Sequence, residues 1–228
     1  ADFTIAEHGL DFADLLEIDQ YAIVQAQALQ HSIAEIAGHA SQAHYARNAF
    51  HLATQSIVGY CSEDLGGFYL DILKDRLYTS GQNSAARRSA QTALYHITHS
   101  LVKLLAPVLS FTAEEAWQSL IGRADDSIFY HTWHTFPSVS ADATAQLQND
   151  WTQLRDIRSQ VMKKLEDLRA QGDIGSALEA CVSLEAAPAL AHVLQRLGDD
   201  LKFVLITSAT EIIANSTLAD DTLTITAR

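Results

Sequence analysis

The sequence predicts a mainly α protein: a helix bundle followed by a small α+β subdomain. Three observations carry this. Four or five segments before residue 122 place apolar residues at i, i+3 and i+4. Only three prolines (Pro107, Pro137, Pro188) interrupt 228 residues in which Ala and Leu recur throughout. After Gly172 and Gly175 the apolar period changes from 3.6 to two. A hydrophobic fraction of 48% over this length is enough for a core and excludes a disordered chain. No window approaches the roughly 20 apolar residues that a membrane crossing needs.

The first helix is expected from about Phe12 to Gly38, with Leu15, Ile18, Ala22, Leu29, Ile33 and Ile36 as its stripe and Gly38 as its stop. A second runs from about Ser41 to Val58 and a third from Ser62 to Tyr78. Residues 80–84 then read as a loop, because Gly81, Asn83 and serines punctuate. The fourth helix is the clearest, with Ala90, Leu94, Ile97, Leu101, Leu104 and Val108 forming one core face and Pro107 bending or ending it. Thr112 and Glu115 have the spacing of a capping box that opens a short helix through Trp117 and Leu120. Between Gly122 and Ser140 the pattern breaks into an aromatic-rich connector, Ile128–Pro137 (IFYHTWHTFP). A long helix follows from about Ala143 to Ala170 on Trp151, Leu154, Ile157, Val161, Leu165 and Leu168. Leu178, Ala180, Val182 and Leu184 alternate with polar residues as a half-buried strand. Pro188 to Leu197 reads as a short helix, Phe203–Ile206 as a buried strand, and Leu223 and Ile225 as a final strand. The expected division is 1–125 for the bundle, 126–150 for an extended connector and 151–228 for the α+β subdomain.

Fifteen Lys and Arg stand against 28 Asp and Glu, a formal charge of −13, which argues against a general nucleic-acid binder. The distribution says more than the sum. Residues 1–46 hold seven acids and no Lys or Arg, whereas residues 65–113 are locally +3 and residues 151–172 locally +2. From charge alone those two stretches read as solvated helix faces. Cys61 and Cys181 are isolated, which excludes a disulfide scaffold or a cysteine zinc site and fits a reducing cytoplasm. The chain opens Ala-Asp-Phe and its one methionine is Met162, so a piece of a longer protein is expected.

Three stretches are more specific: Phe68–Thr79 (FYLDILKDRLYT), Ser84–Ile97 (SAARRSAQTALYHI) and Leu105–Trp117 (LAPVLSFTAEEAW). They resemble the anticodon-binding helix bundle of bacterial-type isoleucyl-tRNA synthetases, a class Ia family. The first and third have looser cousins in valyl and leucyl synthetases. Leu15–Ala22 is similar to the bundle's opening helix, and Leu154–Arg169, Gly175–Val182 and Leu197–Ser208 are similar to the region after it. The resemblance covers most of the chain and is weakest at 30–60 and 122–150. It implies a C-terminal anticodon- and stem-binding fragment that positions tRNA(Ile) for ATP-dependent aminoacylation. The H-I-G-H-like and K-M-S-K-S-like signatures of the catalytic fold are not found in these 228 residues, nor is an editing domain. No catalytic residue or cofactor is therefore expected in the fragment. ATP, and in many bacterial members a four-cysteine zinc module, belong to the parent enzyme. The implied partners are tRNA(Ile) and the catalytic and editing domains of the same parent chain, with no membrane, and a cytoplasmic monomer is expected.

Reading an anticodon requires stacking, edge hydrogen bonds and cations for phosphate. The expected RNA-binding residues are Lys74, Arg76, Arg87, Arg88, Gln91 and Tyr95 in the bundle, with Arg155, Arg158, Lys163 and Lys164 following the stem. Arg88, Thr92, Tyr95 and His99 share one face of the fourth helix, away from Leu94 and Leu101. Some have a plainer reading, Arg76 as an ion-pair partner, Tyr95 and Tyr78 as packing, the second basic set as a solvated face, whereas two adjacent arginines, Arg87 and Arg88, cannot both serve the core. His96 and His99, and His131 and His134, have i, i+3 spacing, but no nearby carboxylate completes a metal set and none is expected. No G-x-S-x-G or P-loop motif is present. The rival readings are an acidic helical scaffold that binds protein and not RNA, the equivalent valyl domain, and, more remotely, a metal-dependent enzyme.

Overall fold

The computed structural model describes residues 3–34, 43–123, 125–218 and 223–227. The chain divides into two compact units, Ala1–Ser140 and Ala141–Arg228.

In unit 1, a short α1 (Ile5–His8) and a 3-10 turn at Phe12–Asp14 precede α2 (Glu17–Ile33). Then come α3 (Phe50–Gly59), a π-helical stretch (Tyr60–Tyr69) running straight into α4 (Leu70–Thr79), α5 (Ala85–Leu105) and α6 (Ser110–Ile121). Helix α2 is covered on most of its sides: Ile18, Tyr21, Ala22, Ile23, Val24, Ala26, Leu29 and Ile33 are buried, with Asp19 and Gln30 among them. It is therefore the central helix, packed chiefly on α5. On α5 the buried row is Ala90, Ala93, Ile97 and Leu104, with Ser89, Thr92 and Ser100 beside it. Leu94 and Leu101, expected in the core, are only half-buried.

The three hydroxyls buried on α5 are all spent. Ser89 Oγ accepts from Leu16 N at 2.9 Å, Thr92 Oγ1 from Leu10 N at 3.1 Å, and Ser100 Oγ donates to Gln30 Oε1 at 2.9 Å. Asp19 of α2, wholly buried, binds the Arg76 guanidinium of α4 at 2.6 and 3.3 Å. It also accepts from Tyr69 OH at 2.7 Å and from Ser89 Oγ. Arg76 reaches on to the Ala86 carbonyl at 2.9 Å. This buried charge is thus paired and hydrogen-bonded, which is the condition for keeping it inside.

Several sequence expectations are corrected. The first helix starts at Glu17 rather than Phe12, and its proposed stop at Gly38, with Ile36, lies outside the described residues, as does Ser41. The third helix, expected from Ser62, opens inside the π-helical stretch Tyr60–Tyr69, which continues directly from α3. A Cβ at Gly66 would meet the Cys61 carbonyl at 2.9 Å, so glycine lets that wider turn close. Helix α6 begins at Ser110 after Leu109, which places Thr112 inside it, so Thr112 and Glu115 form no capping box. Glu114 instead accepts from the Ile128 amide at 3.0 Å, the Ser127 hydroxyl at 2.9 Å and Gln118 Nε2 at 2.8 Å, fixing a 3-10 turn (Ile128–Tyr130) to the helix. Burial acts to raise the Glu114 carboxyl, but these three donors together hold it below the usual range.

In unit 2, α7 (Ala141–Gln171) buries Leu147, Trp151, Leu154, Ile157, Val161 and Leu165. Strand β1 (Cys181–Ala186) is followed by α8 (Pro188–Arg196), α9 (Leu201–Leu205), β2 (Ala209–Ala214) and β3 (Leu223–Ala227). The sheet order is β2-β1-β3, with β1 parallel to β2 and antiparallel to β3. Val182, Leu184 and Ala186 of the central strand are fully buried, whereas Leu178 sits in a 3-10 turn and is exposed. The expected strand at 203–206 is α9: Leu201, Val204 and Leu205 bury at helical spacing, and Ile206 ends the turn at φ +54°. Asp150, also buried, is held by Arg196 at 2.8 Å and by Gln146 Nε2 at 2.8 Å.

Candidate nucleic-acid interface

Helix α5 organises the site in unit 1. Ser84 caps it, its hydroxyl accepting from the Arg87 amide. Three adjoining cavities follow one side of the helix. Gln91, Tyr95 and His99 line one of about 420 Å³ together with Phe3 and Ile5. Tyr95 and His99 return, with His96, Lys103, Trp117 and His134, around the next, about 490 Å³. Lys103, His131, Thr132 and Trp133 are shared with a third, about 430 Å³, which Pro107, Ile128 and Phe129 complete. Each volume is in the range of ligand sites.

The groove is built from rings. His99 lies 4.1 Å from Tyr95 and meets Trp117 edge-on at 5.3 Å, and His131 is 4.7 Å from Trp117. His96 Nδ1 and His134 Nε2 are 2.9 Å apart, joining α5 to the connector. Burial lowers the pKa of His96. It lowers His99 to about 4, aided by Lys103, His96 and His131, and His134 to about 3, aided by His96, Lys103 and His99. These rings are uncharged at neutral pH, so they offer faces and hydrogen-bonding edges rather than charge. Positive charge comes from Lys103, whose Nζ stands 5.4 Å from the centre of the Trp117 ring.

The residues read from the sequence separate into three groups. Gln91 and Tyr95 line the groove, half-buried. Lys74, Lys163 and Lys164 are exposed, Lys74 pairing with Asp71 at 3.1 Å, while Arg87 is half-buried with a 3.4 Å bond to the Ser80 carbonyl. Of the rest, Arg76, Arg88 and Arg158 are bonded to partners within the fold. Arg76 is the interior partner of Asp19 and is not a surface cation. Arg88, 8% exposed, binds Asn83 Oδ1 at 2.8 Å and Gln91 Oε1 at 3.0 Å, with Phe3 over its guanidinium at 5.9 Å. In unit 2, Arg158 donates to the Val204 carbonyl at 2.9 Å and Arg155 is half-buried. The open face expected from Arg88, Thr92, Tyr95 and His99 is therefore mostly closed, because small hydroxyls and interior partners widen the buried side of α5 beyond its apolar stripe. Tyr78, 86% exposed, is a free-standing ring one turn from Lys74.

Sequence reasoning missed Lys103, Trp117 and Trp133. The aromatic run at 128–137 was the available signal, but nothing in its spacing says that it folds against α5. His131 and His134 take different partners, Asp126 at 2.8 Å and His96. Among the described residues no group of three His, Cys, Asp or Glu side chains is placed to hold a metal ion.

The chain is similar to several bacterial proteins named isoleucine–tRNA ligase. That of Laribacter hongkongensis is 53% identical over 213 residues, covering 93% of this chain and 21% of the relative. Those of Nitrosomonas europaea (50% over 230 residues, 100% and 24%) and Neisseria meningitidis (48% over 219 residues, 96% and 23%) are alike. The chain thus spans less than a quarter of these relatives' length. Residues 32–184 match the family described as the anticodon-binding domain of tRNA ligase, and the chain belongs to that family.

Proposed function

We propose that this chain grips the anticodon loop and stem of tRNA(Ile) within a larger isoleucine–tRNA ligase. Catalytic and editing domains outside these 228 residues would use ATP to charge that tRNA. The observation that carries this reading is the ring-lined groove along α5, holding Gln91, Tyr95 and Lys103, in a chain of the anticodon-binding family. Stacking surfaces with a few cations are what single-stranded bases require. Lys74 and Arg87 are suited to phosphates near the groove, and Lys163, Lys164 and Arg155 to phosphates of the stem. Arg76 and Arg88 act by holding unit 1 together, and Arg158 by holding unit 2. The two free cysteines fit a reducing cytoplasm, and no described helix is long and apolar enough to cross a membrane. A monomer suffices, since nothing in this grip needs a second copy.

The test is binding at low salt of isoleucine tRNA and of the same tRNA with its anticodon replaced. Preference for the native anticodon supports the reading. Binding without preference reduces the site to a phosphate grip. In the parent ligase, loss of the grip should lower kcat/KM for tRNA and leave amino-acid activation intact. A second reading, an acidic scaffold for another protein, is favoured by the −13 charge and the exposed Leu109 and Phe111. It predicts no RNA binding to titrate.

A further inference from the structure

Trp133 rests on a support that is already rigid. Tyr45 OH donates to the Leu104 carbonyl at 2.6 Å, and the Trp133 indole stacks on the Tyr45 ring at 6.1 Å and 19°. The carbonyl of the next residue, His134, accepts from Gln30 Nε2 at 2.8 Å, and Gln30 is itself held by Ser100. The connector is therefore held at the indole and at the residue that follows it. That half-buried ring lines two adjoining cavities, and Lys103 lines both with it.

This lining selects a chemistry. An indole backed on one face by tyrosine offers its remaining surface to a flat ring. The half-buried, uncharged imidazole of His134 suits a polar edge, and one half-buried ammonium suits one anionic group. A bare anion would leave the indole unused, and an apolar ligand would leave the ammonium unused. We propose that Trp133 and Lys103 form a subsite for one extruded nucleobase of a single-stranded RNA loop and its neighbouring phosphate. This rests on the reading of the chain as an RNA-binding domain and names where one base goes. Residues 1–140 carry seven Lys and Arg against fifteen Asp and Glu, so stacking rather than bulk charge must supply the affinity.

Thr132 is exposed and lines both cavities without contributing to the core, so Thr132→Phe fills the subsite while sparing the fold. The 228-residue chain and this variant would be titrated with the four nucleoside 5′-monophosphates, with inorganic phosphate as control, by NMR of the indole N–H signals. Trp151, in unit 2, is the internal reference. A hairpin carrying the isoleucine anticodon loop would be titrated in parallel. A nucleotide should shift the Trp133 signal where phosphate alone does not, Thr132→Phe should abolish that shift, and the hairpin should lose about ten-fold in affinity in the variant. Lys103→Gln should weaken the hairpin and shrink its log–log salt slope by about 0.7. Nucleotide shifts that persist in Thr132→Phe, or hairpin affinity unchanged by it, overturn the subsite and leave the anticodon reading standing. A hairpin that does not bind, while nucleotides still shift Trp133 and the variant abolishes the shift, overturns the anticodon reading and supports the subsite.

Discussion

Replacing Arg76 by methionine separates an interior role from an RNA-binding one. Its side chain is 4% exposed and that of Asp19 is 0% exposed. Removing the guanidinium takes away bonds of 2.6 and 3.3 Å and leaves a buried carboxylate with only Tyr69 and Ser89 as donors. Breaking such a pair costs about 3–5 kcal/mol, a large share of the stability of an ordinary domain. With a urea dependence of about 2 kcal/mol per molar, the unfolding midpoint of unit 1 should fall by about 1.5–2.5 M. The indole signals of Trp117 and Trp133 report that transition. Removing both charges, as Arg76→Met with Asp19→Leu, should recover most of the loss, because an apolar pair of similar volume dispenses with the desolvation cost. RNA affinity, measured where each variant is still folded, should change little. A single variant that keeps its stability within about 0.5 kcal/mol of the parent but loses RNA binding would refute the interior assignment.

Acid should loosen the groove. The unfolded chain takes up protons near 6.5, whereas folded His99 waits until about 4 and folded His134 until about 3. Their contribution is therefore full above about 6.5 and is lost as pH falls toward those values, and His134→Phe should flatten urea midpoints measured from pH 7.5 to 4. Glu114→Ala should accelerate exchange of the Ile128 amide, since the carboxylate is its acceptor; unchanged protection would show that the connector is held elsewhere. Arg88→Ala should cost about 1 kcal/mol, since Asn83 is exposed and Gln91 half-buried and water can replace the lost bonds, while Arg87→Ala should leave stability alone and weaken RNA binding. If Lys74, Arg87, Lys103, Arg155, Lys163 and Lys164 are the phosphate contacts, the log–log salt slope for RNA should be about −4. A slope near zero removes them from the interface.

The long elements were legible and the joints between them were not. Helices α2, α5 and α7 announce themselves because an apolar stripe sustained over four or more turns has one structural solution. The apolar run at 203–206 had two, since so short a stretch buries equally well as strand or helix. The buried pairing that makes Leu201, Val204 and Leu205 a helix is visible only once their neighbours are placed. The same limit governs the site. Arg76 and Arg88 look like surface cations because their interior partners are remote or weakly marked, Asp19 being 57 residues from Arg76. Lys103, Trp117 and Trp133 come from α5, α6 and the connector, which only the folded chain brings around one cavity.

Burying arginines in a chain this acidic has a consequence for how it can hold a polyanion. Two of the seven basic residues before Ser140, Arg76 and Arg88, are buried and spent on internal bonds. The remainder face fifteen acids, so the long-range field of unit 1 repels RNA rather than steering it. Affinity must then come from contacts that work only at close range and do not depend on net charge. Stacking is the contact of that kind, and it needs rings that do not have to be ordered at the moment of binding. The bonds from Tyr45 to Leu104, from Gln30 to His134 and between His96 and His134 order those rings beforehand. The internal polar bonds of unit 1 are in this sense part of its interface: they hold in place the surfaces that compensate for the unfavourable charge.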